Sequence, residues 1–177
     1  MTAPIILAHI PADRLSELAH LRQHPGQYAN DGAVMILDDT PQLSFHAIRA
    51  GGRLVGMFKL DPLYPERHRF AAETDLGLRG MLIERTEQGK GFGTAAMAAL
   101  PAHAAALYPG KRRLVLTVNL WNPGAYKAYR RAGFRDEGEI FAGGSRGPQH
   151  ILWADLPPRT PESPCCATSS ASSPPCS

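Results

Sequence analysis

The residues best suited to chemistry lie in Gln88-Gly89-Lys90-Gly91-Phe92-Gly93-Thr94, between an apolar strand pattern and an Ala-rich helix pattern. Three glycines in seven residues let backbone come close to a ligand. Amides at the start of a helix form an anion site. The segment therefore predicts a phosphate-bearing ligand. It is not a Walker loop, because G-x-x-x-x-G-K-[ST] is absent. Gly91 to Ala96 does match the dinucleotide fingerprint G-x-G-x-x-A. However, seven residues separate Ile83 from Gly91, and the next strand ends at Asn119 rather than at an acidic ribose-reading residue.

Asn122, Ala125 and Tyr129 follow at i, i+3 and i+7, which places them on one helix face, with Tyr126 close to it. Other chemistries are poorly supplied. Cys165, Cys166 and Cys176 all lie in the last stretch, so the folded part has no thiol nucleophile, disulfide or Cys-ligated metal. Their spacing fits no common zinc pattern, and no metal is expected. The formal charge is +3, and no Lys/Arg run dominates a segment, so nucleic acid is not expected as a partner. Arg79, Arg85, Lys90 and Lys111–Arg113 cluster in the central third, which suits a small polyanionic ligand. No apolar stretch approaches the ~20 residues of a membrane span. The N-terminus lacks a signal-peptide pattern. No membrane partner is expected, and a cytoplasmic location is.

These residues need elements to position them. Residues 5–10 read as a strand, and Pro11 and Asp13 as a helix start. Residues 24–41 are loop-rich, with room for a short second helix. A hairpin follows, 43–48 returning through 54–60 around Gly51-Gly52. After a loop at 61–70, residues 73–83 read as a long strand that Gly77 and Gly80 weaken or bend. The helix pattern of 89–107 contains Pro101, expected to kink or break it. Residues 114–118 form a compact buried strand. Asn122-Pro123 starts a helix that Gly133 stops. Residues 134–141 and 150–156 pair around Gly143-Gly-Ser-Arg-Gly-Pro148. The prediction is an α/β fold of α+β type: a mixed, mostly antiparallel twisted sheet flanked by helices, with strands 73–83 and 114–118 parallel through a right-handed crossover. Residues 1–156 form one domain. Residues 157–177, rich in Pro, Ser and Thr, read as a disordered tail.

Gln88-Gly-Lys-Gly-Phe-Gly93 resembles the Q/R-x-x-G-x-G/A signature of the GNAT superfamily of acyl-CoA N-acyltransferases. Leu82-Ile83-Glu84 resembles the end of that family's fourth strand. Val118-Asn119, Asn122-Pro-Gly-Ala125, Tyr129 and Gly133-Phe134 form a second match in the right order.

The resemblance implies acetyl-CoA as cosubstrate and a primary amine of a small molecule or peptide as acceptor, acetylated by direct attack in a ternary complex. It places the pyrophosphate on the amides of Gln88, Gly89, Lys90, Gly91, Phe92 and Gly93, with Thr94 near and Lys90 as counter-charge. It gives the pantetheine arm and the oxyanion to the backbone of Leu82 and Ile83. Asn119 and Asn122 would contact the pantetheine, or simply end a strand and cap a helix. Tyr129 would protonate the leaving thiolate, with Tyr126 as rival. For the base it points to Glu73, beside Asp75, Glu84, His150 and water. Residues 11–70 should shape the acceptor site. Two other readings stay open: a non-catalytic acyl-CoA sensor and a dinucleotide-binding protein. A homodimer also stays open.

Overall fold

The computed structural model describes residues 3–158. The tail from 159 onward, including the three cysteines, lies outside the described residues. Seven strands form one sheet: β1 (Ile5–Ile10), β2 (Ser44–Ala50), β3 (Arg53–Asp61), β4 (Asp75–Ile83), β5 (Arg113–Asn119), β6 (Arg135–Phe141) and β7 (Gln149–Asp155). Their spatial order is β1-β2-β3-β4-β5-β7-β6, antiparallel throughout except for β4 beside β5. The helices are α1 (Gly32–Met35), α2 (Tyr64–Arg67), α3 (Phe92–Leu107) and α4 (Pro123–Arg131), with 3-10 helices at Ala12–Leu18 and Arg85–Glu87. No helix among the described residues is long and apolar enough to cross a membrane.

The two sheet faces have separate cores. On one, α3 and α4 bury Phe92, Ala96, Leu100, Tyr129 and Phe134 against Leu76, Leu78, Leu114, Leu116 and Leu152. On the other, Leu18, Leu21 and Met35 pack on Phe45, Ala47, Met57 and Leu82. Of the kink or break expected at Pro101, the break does not occur: α3 runs on through it. Its missing N–H costs the helix one bond, and the Ala-rich stripe still packs on the sheet. The C-terminal end of α3 is also tied by a buried polar chain. The His46 ring lies 3.0 Å from His103 and 2.8 Å from Ser44 Oγ, which lies 2.7 Å from the Tyr108 hydroxyl.

The parallel pair is short. Asp75, Leu76 and Gly77 face Arg113, Leu114 and Val115, and the pairing stops there. Two features account for this. At the closed end, Asp75 is fully buried and accepts two hydrogen bonds from Arg113, both 2.8 Å. Arg113 also lies 5.0 Å from the Trp153 ring centroid, and Arg135 lies over the same ring. Asp75 is therefore a clamp across the β4–β5 seam, and not the free carboxylate weighed as a base. Further along, Gly80 and Met81 oppose the single residue Phe58 of β3, a β-bulge. A bulge bends its strand and increases its twist, carrying the rest of β4 away from β5. Gly80 has φ +59°, and a Cβ there would come 2.7 Å from Met35 Cε. The left-handed backbone favours glycine here, and a side chain would have to displace the end of Met35.

Asp75→Asn keeps the shape and removes the charge partner of Arg113. Chemical denaturation should show a loss of about 2–3 kcal/mol, the lower end for breaking a buried pair, because Arg113 can turn partly to solvent. An unchanged midpoint would mean that the closed end of the seam is held by something else.

Candidate active site

Where β4 and β5 part, a notch runs through the sheet and opens on both faces. A cavity of ≈ 680 Å³ lies on the side of the glycine loop and is lined by Ile83, Gln88, Gly91, Thr94, Asn122 and Tyr129, among others. A second cavity of ≈ 430 Å³ lies toward the β6–β7 hairpin, lined by Gly80, Asn119, Asn122, Tyr129, Arg146 and Gln149, among others. Tyr28, Ala29, Met81, Asn122, Ala125 and Tyr129 border both, so the two are parts of one cleft.

The loop side is built from backbone. Gly89 and Gly91 have φ +76° and +83°, and Gly91 caps α3. Left-handed residues alternating with ordinary ones turn successive N–H groups inward as an anion-binding nest, at the positive end of a 16-residue helix. Gln88 fixes the loop: its Nε2 donates to Ile83 O at 3.0 Å and lies near Gln23 and Gln27. Lys90 is placed differently from expectation. It does not line the cleft, and its Nζ donates to Glu87 at 3.2 Å. Glu87 also accepts from Arg53 at 2.8 Å, and its pKa is lowered, first by Arg53 and then by Lys90.

The unpaired edge of β4 forms one wall. Its other edge pairs with β3, Leu82 with Met57 and Ile83 with Gly56, while pairing to β5 ends at Gly77. The edge from Leu78 to Ile83 can therefore take a strand-like ligand. Leu82's side chain is buried in the core opposite α3, and it stands opposite Met57 two residues before Glu84, whose N–H donates to Val55 O at 2.9 Å, so its backbone groups face β3 and those of Ile83 face the open edge, contrary to the expectation that both residues serve the ligand arm.

On α4, Asn122 caps the helix, its Oδ1 accepting from Ala125 N at 3.2 Å, and it borders both cavities. The two tyrosines differ. Tyr126 donates to Asp136 at 2.9 Å, which raises its pKa and commits the hydroxyl. Tyr129 is buried, and burial alone holds its pKa well above the ordinary value, so it keeps its proton. Among the described residues its hydroxyl has no hydrogen-bond partner. Asn119 is tied to the protein at both polar atoms: its Nδ2 donates to Arg146 O at 2.6 Å and its Oδ1 accepts from Trp121 N at 2.9 Å. It fastens the β6–β7 hairpin, and one N–H and one lone pair of its amide stay outside these two bonds.

None of the carboxylates considered as bases reaches the notch. Glu73 is exposed in the turn before β4 and not on the strand. That turn is at the closed end, roughly 25–30 Å along the strand from Ile83. Glu84 accepts the Arg22 amide at 2.7 Å. His150 sits beside Asp136 and the Tyr126 ring. Among the described residues no group of His, Cys, Asp or Glu could hold a metal ion.

Two walls were not singled out by sequence reasoning, one of them inside the broad 11–70 range expected to shape the acceptor site. Residues 23–30 cross the cleft, held by Gln88 on one side and by an Arg146 bond to Gln27 O of 3.1 Å on the other. Ser145, Arg146 and Gln149 come from the closing hairpin. The one available signal was a charged residue among the glycines of 143–148.

A sheet splayed over a helix-capping glycine loop, with a buried protonated tyrosine at the opening, defines an acyl-CoA-dependent transferase. Residues 12–134 match the model of the acetyltransferase (GNAT) family, and the chain belongs to that family as an N-acetyltransferase. It is 30% identical over 130 residues to a probable spermine N(1)-acetyltransferase of Bacillus subtilis subsp. natto (strain BEST195), covering 72% of this chain and 84% of that one. Its fold is similar to AAC(6')-Ib in complex with ribostamycin and coenzyme A, at 16% identity and a TM-score of 0.68 over 86% of this chain and 93% of that one. It is also similar to the ribosomal-protein-S18-alanine N-acetyltransferase from Escherichia coli, at 13% identity and a TM-score of 0.62 over 90% and 98%.

At Gly91 a Cβ would meet nothing within 4 Å, so Gly91→Ala strains only the φ of +83°. The cost should be about 1–2 kcal/mol, with the domain still folded. Turning even one amide of the nest should weaken acetyl-CoA at least 10-fold by calorimetry. Unchanged affinity would place the phosphate site elsewhere.

Proposed function

We propose that acetyl-CoA binds with its pyrophosphate on the Gln88–Thr94 loop and its pantetheine arm along the unpaired edge of β4, and that an amine attacks from the hairpin side. The observation that carries this reading is the continuity of the cleft: Tyr129 borders both cavities, where coenzyme sulfur and acceptor nitrogen must meet.

The steps follow from these placements. The neutral amine attacks the thioester carbonyl, forming a C–N bond and an oxyanion. A β4 backbone amide on the unpaired edge stabilises that oxyanion. The C–S bond breaks, and Tyr129 donates its proton to the leaving thiolate. The proton released from nitrogen passes to water, and Tyr129 is reprotonated through solvent. Water is assigned the base role because, among the described residues lining the two cavities, the one carboxylate is Glu87, which is paired with Arg53 and Lys90.

Tyr129→Phe keeps the ring packed edge-on against Phe134 and removes only the proton donor. Turnover, followed as free thiol release, should fall by roughly 10²- to 10⁴-fold. Acetyl-CoA affinity should barely move, because the hydroxyl acts mainly in the transition state. Tyr126→Phe should cost little. A loss within a few-fold at Tyr129 would assign protonation of the thiolate to water.

A further inference from the structure

The second cavity carries information about the acceptor. We infer that the acceptor is a small amine that also bears a carboxylate, an amino acid in the broad sense, with the carboxylate held by Arg146. This rests on the acetyl-transfer reading above and specifies its substrate class.

Among the described residues lining the hairpin-side cavity, Arg146 is the only charged side chain, and none is acidic. The remaining polar lining is neutral: Asn30, Thr117, Ser145 and Gln149 among them. A polycationic acceptor would meet a cation here and no anion, which disfavours it by like-charge repulsion. Two buried or half-buried acids on the β3–β4 side of the sheet are paired with cations of the protein. Asp61 is fully buried and paired with Arg67 and Arg79, and Asp38 is paired with Lys59 at 2.5 Å and Arg79 at 3.3 Å.

Arg146 is an exposed residue tethered at two points. Its carbonyl accepts from the buried Asn119 at 2.6 Å, and one terminal nitrogen donates to Gln27 O at 3.1 Å. One edge of the guanidinium is thereby fixed, while a planar fork of five N–H donors retains others for a ligand. A carboxylate matches that fork with two parallel bonds. The scale is also suitable. A round cavity of ≈ 430 Å³ is about 9 Å across, so Arg146 and Tyr129 stand within the reach of one short amino acid.

The test uses the full-length chain with acetyl-CoA, following thiol release. The acceptors are glycine, β-alanine, γ-aminobutyrate and the α-amino acids, each beside its carboxamide. Spermine, an aminoglycoside and peptides with a free N-terminus but no nearby carboxylate complete the panel. The expected result is a carboxylate preferred over its amide by about 10- to 100-fold in kcat/KM, the worth of a charge-assisted pair. The best member of the glycine series then reports the spacing between nitrogen and carboxylate. In Arg146→Gln the acid's kcat/KM should fall to that of its amide, with Arg146→Lys between. Melting temperature and acetyl-CoA affinity of both variants serve as folding controls. Equal rates for acid and amide, or faster turnover of spermine or the neutral peptides, would overturn the inference and leave acetyl transfer standing. No thiol release with any amine, together with no melting shift from acetyl-CoA, would overturn both.

Discussion

The structure depends on one unfinished strand pair. Backbone N–H and C=O groups away from water must find partners, and β4 and β5 supply them for only three residues. Asp75 and Arg113 hold the seam shut at one end, and the bulge at Gly80 opens it at the other. The released edge of β4 is a strand without a neighbour inside a covered sheet. In the proposed complex, an extended, amide-bearing ligand arm supplies that neighbour. The same bend brings the end of β4 beside the glycine loop. One irregularity in one strand thus creates both the groove and its alignment with the anion site.

The two ends of the cleft use different means of recognition. At the loop the nearby cations are already paired: Lys90 and Arg53 both meet Glu87. In the proposed complex, fixed dipoles hold phosphate without a flexible side chain. At the hairpin, one guanidinium stands among neutral polar groups. Between them Tyr129 is buried enough to keep its proton and open enough to border both cavities. Asn119 links the ends, closing β5 while fastening the backbone of Arg146.

Local chemistry was the legible part. Glycine spacing marked the loop, Asn122-Pro123 marked the start of α4, and alternation marked the hairpins. Parallel pairing of 73–83 with 114–118 followed from a single helix between two strands, and β4 and β5 do run parallel. What sequence could not resolve depended on tertiary partners. Glu73 and Asp75 looked equivalent two residues apart, but one lies in an exposed turn and the other under Arg113. Asn119 looked available until the hairpin carbonyl reached it. The motif match favoured Tyr129 over Tyr126, but the physical difference between them, a hydroxyl committed to Asp136, lies in a tertiary partner of Tyr126. Residues 23–30 have no periodic pattern, and they are held in place through glutamines whose partners lie 61 to 65 positions away. The Pro/Ser/Thr-rich segment from 159 lies outside the described residues, and its reading as a tail rests on composition alone.

The central claim is that the parted edge of β4 and the glycine loop hold one ligand together. Backbone amide NMR of the labelled protein during titration with coenzyme A tests it directly. The account predicts that Gly89–Thr94 and Met81–Ile83 shift together with one saturation curve, while amides in β1 and β2 stay in place. Shifts confined to the loop, with β4 unmoved, would contradict it by showing that the ligand does not follow the open strand.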